Sequence, residues 1–453
     1  MPAEPRTIAE LARALQAREL TAEAITERCL SAIAERNPSL NAFITVLADA
    51  AREQARRADA EIAAGRYRGP LHGVPVSLKD LIDLEGTATT AASRVRQGHM
   101  ATADATVVTR LREAGAVLIG KTNLHEFALG TTNEDSAFGA ARHPLDPSRS
   151  PGGSSGGSAV SVLAHMAYAS IGTDTGGSVR IPSAACGLVG LKPTIGEIPT
   201  GGVVPLSGTL DHVGPLCRSV EDAEILYDVL RGAPAAQGTR PQDARGLRFG
   251  LLRDYFMALL DPQVADGFES GCARLQEAGV VLHDVTIPHA GDIAPIYLHI
   301  VLSEAAAYHA KTLESRADDY TANVRQRLEM GRYILAEDYV RALRGREVLT
   351  REVDAALVGC DGLLLPSVPI PAHKIGVSTV RLSGSDEPVR NVTLRLTQLF
   401  NLTGHPAITV PCGRTPEGLP IGAQIVGHRM RTTALLDVAR AAEPYLGPGT
   451  SRC

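Results

Sequence analysis

The sequence predicts an α/β layer fold in one compact domain, and three observations carry that reading. Helix-spaced segments alternate with short apolar runs, the composition is that of a globular chain, and the Pro and Gly clusters are scattered rather than gathered at a boundary. Hydrophobic residues make up 44% and charged residues 21%, which supplies a large core and too little charge for a disordered chain. At 453 residues the chain exceeds the usual length of one domain, yet no internal repeat or linker divides it, so the expectation is a single domain over 1–453.

From Thr7 to about Asn37 the apolar residues Ile8, Leu11 and Leu15, then Ile25, Cys29 and Ile33, recur at helical spacing, with Thr7 and Thr21 as N-caps. A further helix over Ala48 to Gly65 completes an N-terminal helical part at 7–65. Gly69, Pro70, Gly73 and Pro75 then break the pattern and introduce a short buried strand, Val76 to Leu78, with Lys79 just past it. Next come a helix over Ala105 to Ala114, a strand over Ala116 to Ile119, and a helix over Ser158 to Met166 entered through a Gly/Ser loop. Further helix and strand signals include Leu247 to Leu252, a helix-rich stretch from Pro295 to Leu357, and strands near Leu363 to Leu365 and Ala407 to Val410.

Charge and cysteine usage exclude several classes. Lys plus Arg total 45 against 50 for Asp plus Glu, a formal charge of -5, and the basic residues form no tract, which argues against a nucleic-acid partner. The seven cysteines, Cys29, Cys186, Cys217, Cys272, Cys360, Cys412 and Cys453, show neither close pairs nor metal-ligand spacing, as in a reduced intracellular compartment. Met1 to Glu10 carries acidic residues and no apolar h-region. The longest apolar-leaning stretch, Ala159 to Gly172, is too short to span a bilayer. The expectation is a cytoplasmic protein with no membrane partner.

Three segments carry chemistry. Ser150-Pro-Gly-Gly-Ser154-Ser155-Gly-Gly-Ser158 brackets two hydroxyls with Gly pairs at a loop-to-helix junction, where backbone and hydroxyl can approach a ligand closely; a linker or an anion-binding loop would read the same. Gly172-Thr-Asp-Thr175-Gly176-Gly177-Ser178-Val-Arg180 places two glycines before a serine, so that several consecutive N–H groups can point one way, as an oxyanion hole requires; a Gly turn with a capping Ser is the plainer alternative. Gly73-Val-Pro-Val-Ser-Leu-Lys79-Asp80 ends an apolar run with a lysine whose burial would favour the neutral amine, although it could equally snorkel or pair with Asp80.

Together with Cys186-Gly-Leu-Val-Gly-Leu-Lys-Pro-Thr194, these segments resemble the amidase signature family. The resemblance is dense over about 69–222 and returns at Asn401-Leu-Thr-Gly-His-Pro-Ala-Ile-Thr-Val-Pro411 and Gly418-Leu-Pro-Ile-Gly-Ala-Gln424, leaving 223–453 to complete the sheet and the substrate pocket. It implies a mixed central β-sheet flanked by helices, Ser178 as nucleophile, Ser154 as proton relay and Lys79 as base. It also implies an oxyanion hole from the backbone of Thr175, Gly176, Gly177 and Ser178, and a cis peptide between Gly153 and Ser154. A relay through a second serine lets a buried lysine serve where histidine otherwise would.

The expected activity is hydrolysis of the C–N bond of a small amide through an acyl-enzyme opened by water, with aryl esters and carbamates (urethanes) passing through the same oxyanion. No cofactor or metal is implied, and a homo-oligomer is compatible with the sequence. Phe127, Leu129, Phe138, Tyr308 and Met330 are candidates to line a pocket for a hydrophobic or aryl substrate, each also readable as core.

Three rival readings remain open at this point. Gly153-Ser-Ser155-Gly-Gly157 fits G-x-S-x-G, which would make Ser155 the nucleophile with His212 or His405. Gly115 to Thr122 fits G-x-x-x-x-G-K-T, although Ala116 to Ile119 read as strand rather than as an open phosphate loop. Within the family, the glutamine-hydrolysing A subunit of a tRNA-dependent amidotransferase has an acidic residue seven places before the Asn of Asn-Leu-x-Gly, where this chain has Leu394, and a carboxylate-binding arginine where this chain has Arg346.

Overall fold

Local signals at the chain start set the first two helices. In Ile8–Gln16 the Thr7 hydroxyl accepts from Glu10 N at 3.1 Å while the Glu10 carboxylate accepts from Thr7 N at 3.2 Å, a reciprocal cap. Ala22–Leu40 is capped by Thr21, whose hydroxyl accepts from Ala24 N. The structure is a computed structural model that describes residues 5–233 and 243–447; Met1 to Glu4 and Cys453 lie outside the described residues.

The strands are β1 (Phe43–Val46), β2 (Pro75–Lys79), β3 (Val117–Thr122), β4 (Ala169–Asp174), β5 (Val189–Lys192), β6 (His212–Cys217), β7 (Arg248–Leu252), β8 (Val281–Val285) and β9 (Gly362–Pro366). A small hairpin of β10 (Thr379–Leu382) and β11 (Ser385–Pro388) precedes β12 (Ala407–Arg414) and β13 (Pro420–Val426). All but the hairpin join one 11-stranded sheet in the order β1-β3-β2-β4-β6-β5-β12-β13-β9-β7-β8. Pairing is parallel for β2 with β3 and β4 and for β7 with β8 and β9, and antiparallel elsewhere, so the sheet is mixed. Helices pack on it, among them Gly156–Leu163 against β2 and β4, and Pro262–Glu277 and Thr432–Leu446 against β12. The expected α/β class with a mixed sheet flanked by helices is what the chain forms.

The structure departs from the expected elements in three places. Lys79 is the last residue of β2 rather than a residue beyond it, and β3 runs on through Lys121 to Thr122. The helix expected over Ser158 to Met166 is Gly156–Leu163, after which the chain turns into β4. β2 and β4 are neighbours and buried throughout, so the residues at their carboxyl ends are brought together under the loops that follow, where ligands of such sheets bind. Among the described residues no helix is long and apolar enough to cross a membrane, six cysteines are free and buried, and no group of three metal-type ligands forms.

Candidate active site

Lys79 enters the site from the end of β2, fully buried, with its Nζ 2.7 Å from Ser154 Oγ and donating to Thr173 Oγ1 on β4 at 2.9 Å. Burial lowers its pKa to about 7 against the opposing fields of Asp174 and Asp211, so the neutral amine is available near neutral pH. Asp80 does not serve Lys79. It forms a buried ion pair with Lys121 at 3.0 Å and accepts from Thr90 N. Lys121 thus lies inside a strand with a structural partner, and Gly115 to Thr122 offers no open phosphate loop.

Ser154 follows a cis peptide at Gly153–Ser154 and is wholly buried. Gly153 sits where a Cβ would lie 2.8 Å from Asn133 N and 2.9 Å from Thr132 N, a close backbone approach that only glycine permits. Ser155, immediately before the Gly156–Leu163 helix, donates its N–H to Ser178 O at 3.2 Å and its hydroxyl to Thr173 O at 3.3 Å. His212 bonds the Leu210 carbonyl at 2.7 Å and His405 bonds Asp354 at 3.1 Å, so neither imidazole has Ser155 as a hydrogen-bond partner.

Ser178 retains 5% exposure where Ser154 and Lys79 have none, so of the three it is the accessible one. Its hydroxyl makes no hydrogen bond among the described residues. In the loop before it the carbonyls are occupied: Gly176 O accepts from Thr397 Oγ1 (2.6 Å), Gly177 O from Ile181 N (2.7 Å) and Ser178 O from Ser155 N. The N–H groups of Thr175, Gly176, Gly177 and Ser178 donate to no acceptor among the described residues. Gly177 adopts φ +137°, and a Cβ there would collide with the Thr397 hydroxyl and come within 2.7 Å of Ile181 Cδ1. This leaves a row of free donors held by its own carbonyls, an arrangement able to receive negative charge.

A buried polar network to which no motif assigned a role holds the loop from behind. Asp174 pairs with Arg180 at 2.9 Å and accepts from Val179 N at 3.1 Å; Arg180 also donates to Asn401 and Gln424, each at 2.6 Å, and to Thr397 O at 3.1 Å. Asn401 closes the ring by donating to Asp174 O at 2.9 Å. Burial alone would raise the Asp174 carboxyl, but the Arg180 guanidinium and the Asn401 amide hold it well below the usual carboxylate range. Asp211 accepts from Thr175 Oγ1 at 2.6 Å and from the amides of Leu206 and Ser207, and burial pushes its pKa up to about 6. Asp174, Arg180, Asn401 and Gln424 stand inside the motif segments, where a charge or amide within an apolar, Gly-rich setting is the signal that could have found them; Asp211, Thr397 and Tyr297 lie in segments with no such signal.

Of the pocket candidates, Phe127 and Leu129 are buried, with the Phe127 ring packed edge-on against His309 at 4.3 Å, whereas Phe138, Tyr308 and Met330 are exposed on the surface. A cleft of about 320 Å³ opens instead beside the 175–178 loop, lined by Tyr297, Leu394, Arg390, Gln398 and Tyr255 among others. Tyr297 and Leu394 connect it to the loop, since a Cβ on Gly176 would strike the Tyr297 hydroxyl and lie 3.0 Å from Leu394 Cδ2.

Comparison with known proteins agrees with the geometry. The family model described as Amidase matches residues 24–436. The chain is 41% identical to an amidase of Pseudomonas putida over 91% of this chain and 90% of that protein. It is 36% identical to the A subunit of the glutamyl-tRNA(Gln) amidotransferase of Koribacter versatilis over 96% and 97% of the two chains. Among solved structures, one described as a crystal structure of amidase superposes with a TM-score of 0.92 at 36% identity, covering 97% of this chain and all of that one. With sequence, sheet and loop geometry in agreement, the chain belongs to the amidase signature family.

Proposed function

We propose that the chain is a free-standing amidase in which Ser178 is the nucleophile, Ser154 the proton relay and Lys79 the base. The observation that carries this reading is the buried contact of Lys79 Nζ with Ser154 Oγ beside a loop of unused N–H donors. As Ser178 Oγ attacks the substrate carbonyl, its proton passes to Ser154 and the Ser154 proton to neutral Lys79. The new oxyanion is met by the N–H groups of Thr175 to Ser178, each worth about 3 kcal/mol. Collapse expels the amine, which takes a proton back along the relay, and water activated by the same chain opens the acyl-enzyme. Aryl esters and carbamates would be accepted, because each passes through an oxyanion at the attacked carbonyl.

The expectation of a hydrophobic or aryl substrate rests on Leu394 standing where amidotransferase A subunits carry an acid. Leu394 does contact the loop, which supports a substrate without an ammonium group at that place. The second reading, an amidotransferase A subunit, is favoured by the near full-length likeness to such subunits. Against it, Arg346 donates to Thr209 Oγ1 at 3.2 Å, toward the group of residues gathered on Glu304.

The test compares an anilide, an aryl ester, an aryl carbamate and glutamine, with wild type and a folded Ser178→Ala variant, no partner added. Turnover of one or more of the first three by wild type alone, absent in the variant, is expected. Glutamine as the sole substrate would favour the amidotransferase reading, and an active Ser178→Ala would remove the nucleophile.

A further inference from the structure

The cleft beside the nucleophile loop contains a charge without a partner. Arg390 lies on the short helix Val389–Leu394, and its guanidinium makes no hydrogen bond or ion pair with any described residue; Nε is buried and unsatisfied. Other cations nearby are served. Arg395 lies 3.5 Å over the Tyr255 ring and donates to Tyr255 O, and Arg327 donates to Leu129 O at 2.7 Å. The field of Arg390 reaches Arg327, whose pKa burial and that field together lower to about 10 against the opposing field of Asp135. Glu387, which lines the same cleft, is bonded to Ser385 Oγ at 2.8 Å and forms no ion pair with Arg390.

Two further observations direct this charge toward the reaction. Arg390 and Leu394 stand four residues apart on one helix, hence on one face, and Leu394 touches Gly176. Tyr297, whose ring lies within the electrostatic reach of Arg390, sets its hydroxyl against the same glycine and has no hydrogen-bond partner among the described residues. A half-buried guanidinium with an unsatisfied Nε is costly to hold and is retained where a ligand completes it. A planar five-donor fork beside a phenol donor matches a carboxylate.

We propose that Arg390 and Tyr297 form the carboxylate-binding end of the substrate cleft, so that the favoured substrates are small amides bearing a carboxylate close to the scissile carbonyl. The proposal rests on the assignment of Ser178 as nucleophile and names the substrate class that assignment leaves open. The anion can stand on the acyl side, as in a dicarboxylic acid monoamide, or on the amine side, as in an N-acylated amino acid.

The experiment measures kcat/KM for succinamate against its uncharged isopropyl isostere, and for N-acetylglycine against its own, in wild type, Arg390→Met and Arg390→Lys. Wild type should prefer the acid in one arm by about tenfold or more, chiefly through KM, and the arm names the side. Arg390→Met should bring the ratio to within about twofold and Arg390→Lys should keep part of it. Because the Met variant relieves an unpaired, half-buried charge, it should melt at or above the wild-type temperature, which a merely structural arginine would not allow. No preference in either arm, or a preference that survives Arg390→Met, overturns the proposal. Calorimetric binding of succinamate and N-acetylglycine to Ser178→Ala answers the same question without turnover: one must bind, and Arg390→Met added to it must abolish binding. A Ser178→Ala variant that still hydrolyses amides would defeat the nucleophile assignment alone, since the acid-to-isostere ratio is read independently of it.

Discussion

Lys79 shows how a single burial sets a chemistry. Its amine is depressed from its ordinary value to about 7 by desolvation, so the neutral base grows as pH rises through that value. The expected kcat/KM profile therefore climbs from about pH 6 to about pH 8, and a fall over that range in a folded enzyme would contradict the role. The linkage to stability has the same direction: between about 7 and its ordinary value of 10.5 the unfolded chain holds this proton and the native one does not, so this group's contribution to stability rises with pH across that window. Gly177→Ala forces a Cβ onto Thr397 from a left-handed φ of +137°, and should cost about 10²-fold or more in kcat while urea melts move less than activity. Arg180→Leu leaves Asp174 buried and unpaired and should destabilise by about 3–5 kcal/mol, read as a lower denaturant midpoint. Ser154, Ser178 and Lys79 are legible as residue types in Gly-rich or apolar settings. Thr173, Asp211 and Arg390 are not, because a hydroxyl, a carboxylate and a guanidinium acquire their roles from partners, or their absence, in distant segments or on another strand.

Helices with amphipathic spacing and a capping threonine are readable almost to the residue, as in Ile8–Gln16 and Ala22–Leu40. Thr7→Ala should accordingly cost about 1 kcal/mol, seen as a lower melting temperature with kcat unchanged, since that cap lies outside the site. β4 is hidden in the sequence because Ala-Ser-Ile-Gly-Thr-Asp is buried on both faces by its neighbours, so it has no alternation to read, and its small polar residues resemble a loop. That same strand carries Thr173 and Asp174, one contacting Lys79 and the other anchoring the chain just after the 175–178 loop. The lysine strand is visible in its apolar run, but placing Lys79 within β2 requires knowing that β3 and β4 flank it.

The sheet joins parts of the chain that composition could not relate. The loop at 175–178 is held by Thr397, and Arg180 just beyond it by Asn401 and Gln424, so the amidase site is complete only when the late strands β12 and β13 have joined the sheet through β5. The α/β class and the family are legible because the motif segments contribute backbone geometry, which local Gly and Ser patterns encode. The proposed substrate cleft is not, because its walls come mostly from the Ile293–Arg316 helix and the 389–398 segment, which meet only in the folded molecule. The most direct test of Ser178 as the nucleophile is to trap the acyl-enzyme with a slowly hydrolysed aryl carbamate and locate the adduct by peptide mass spectrometry. A carbamoyl group on Ser178, formed more slowly in Lys79→Ala, is the expected result; an adduct on Ser155, or an unmodified Ser178 in an enzyme the carbamate has inactivated, would contradict it.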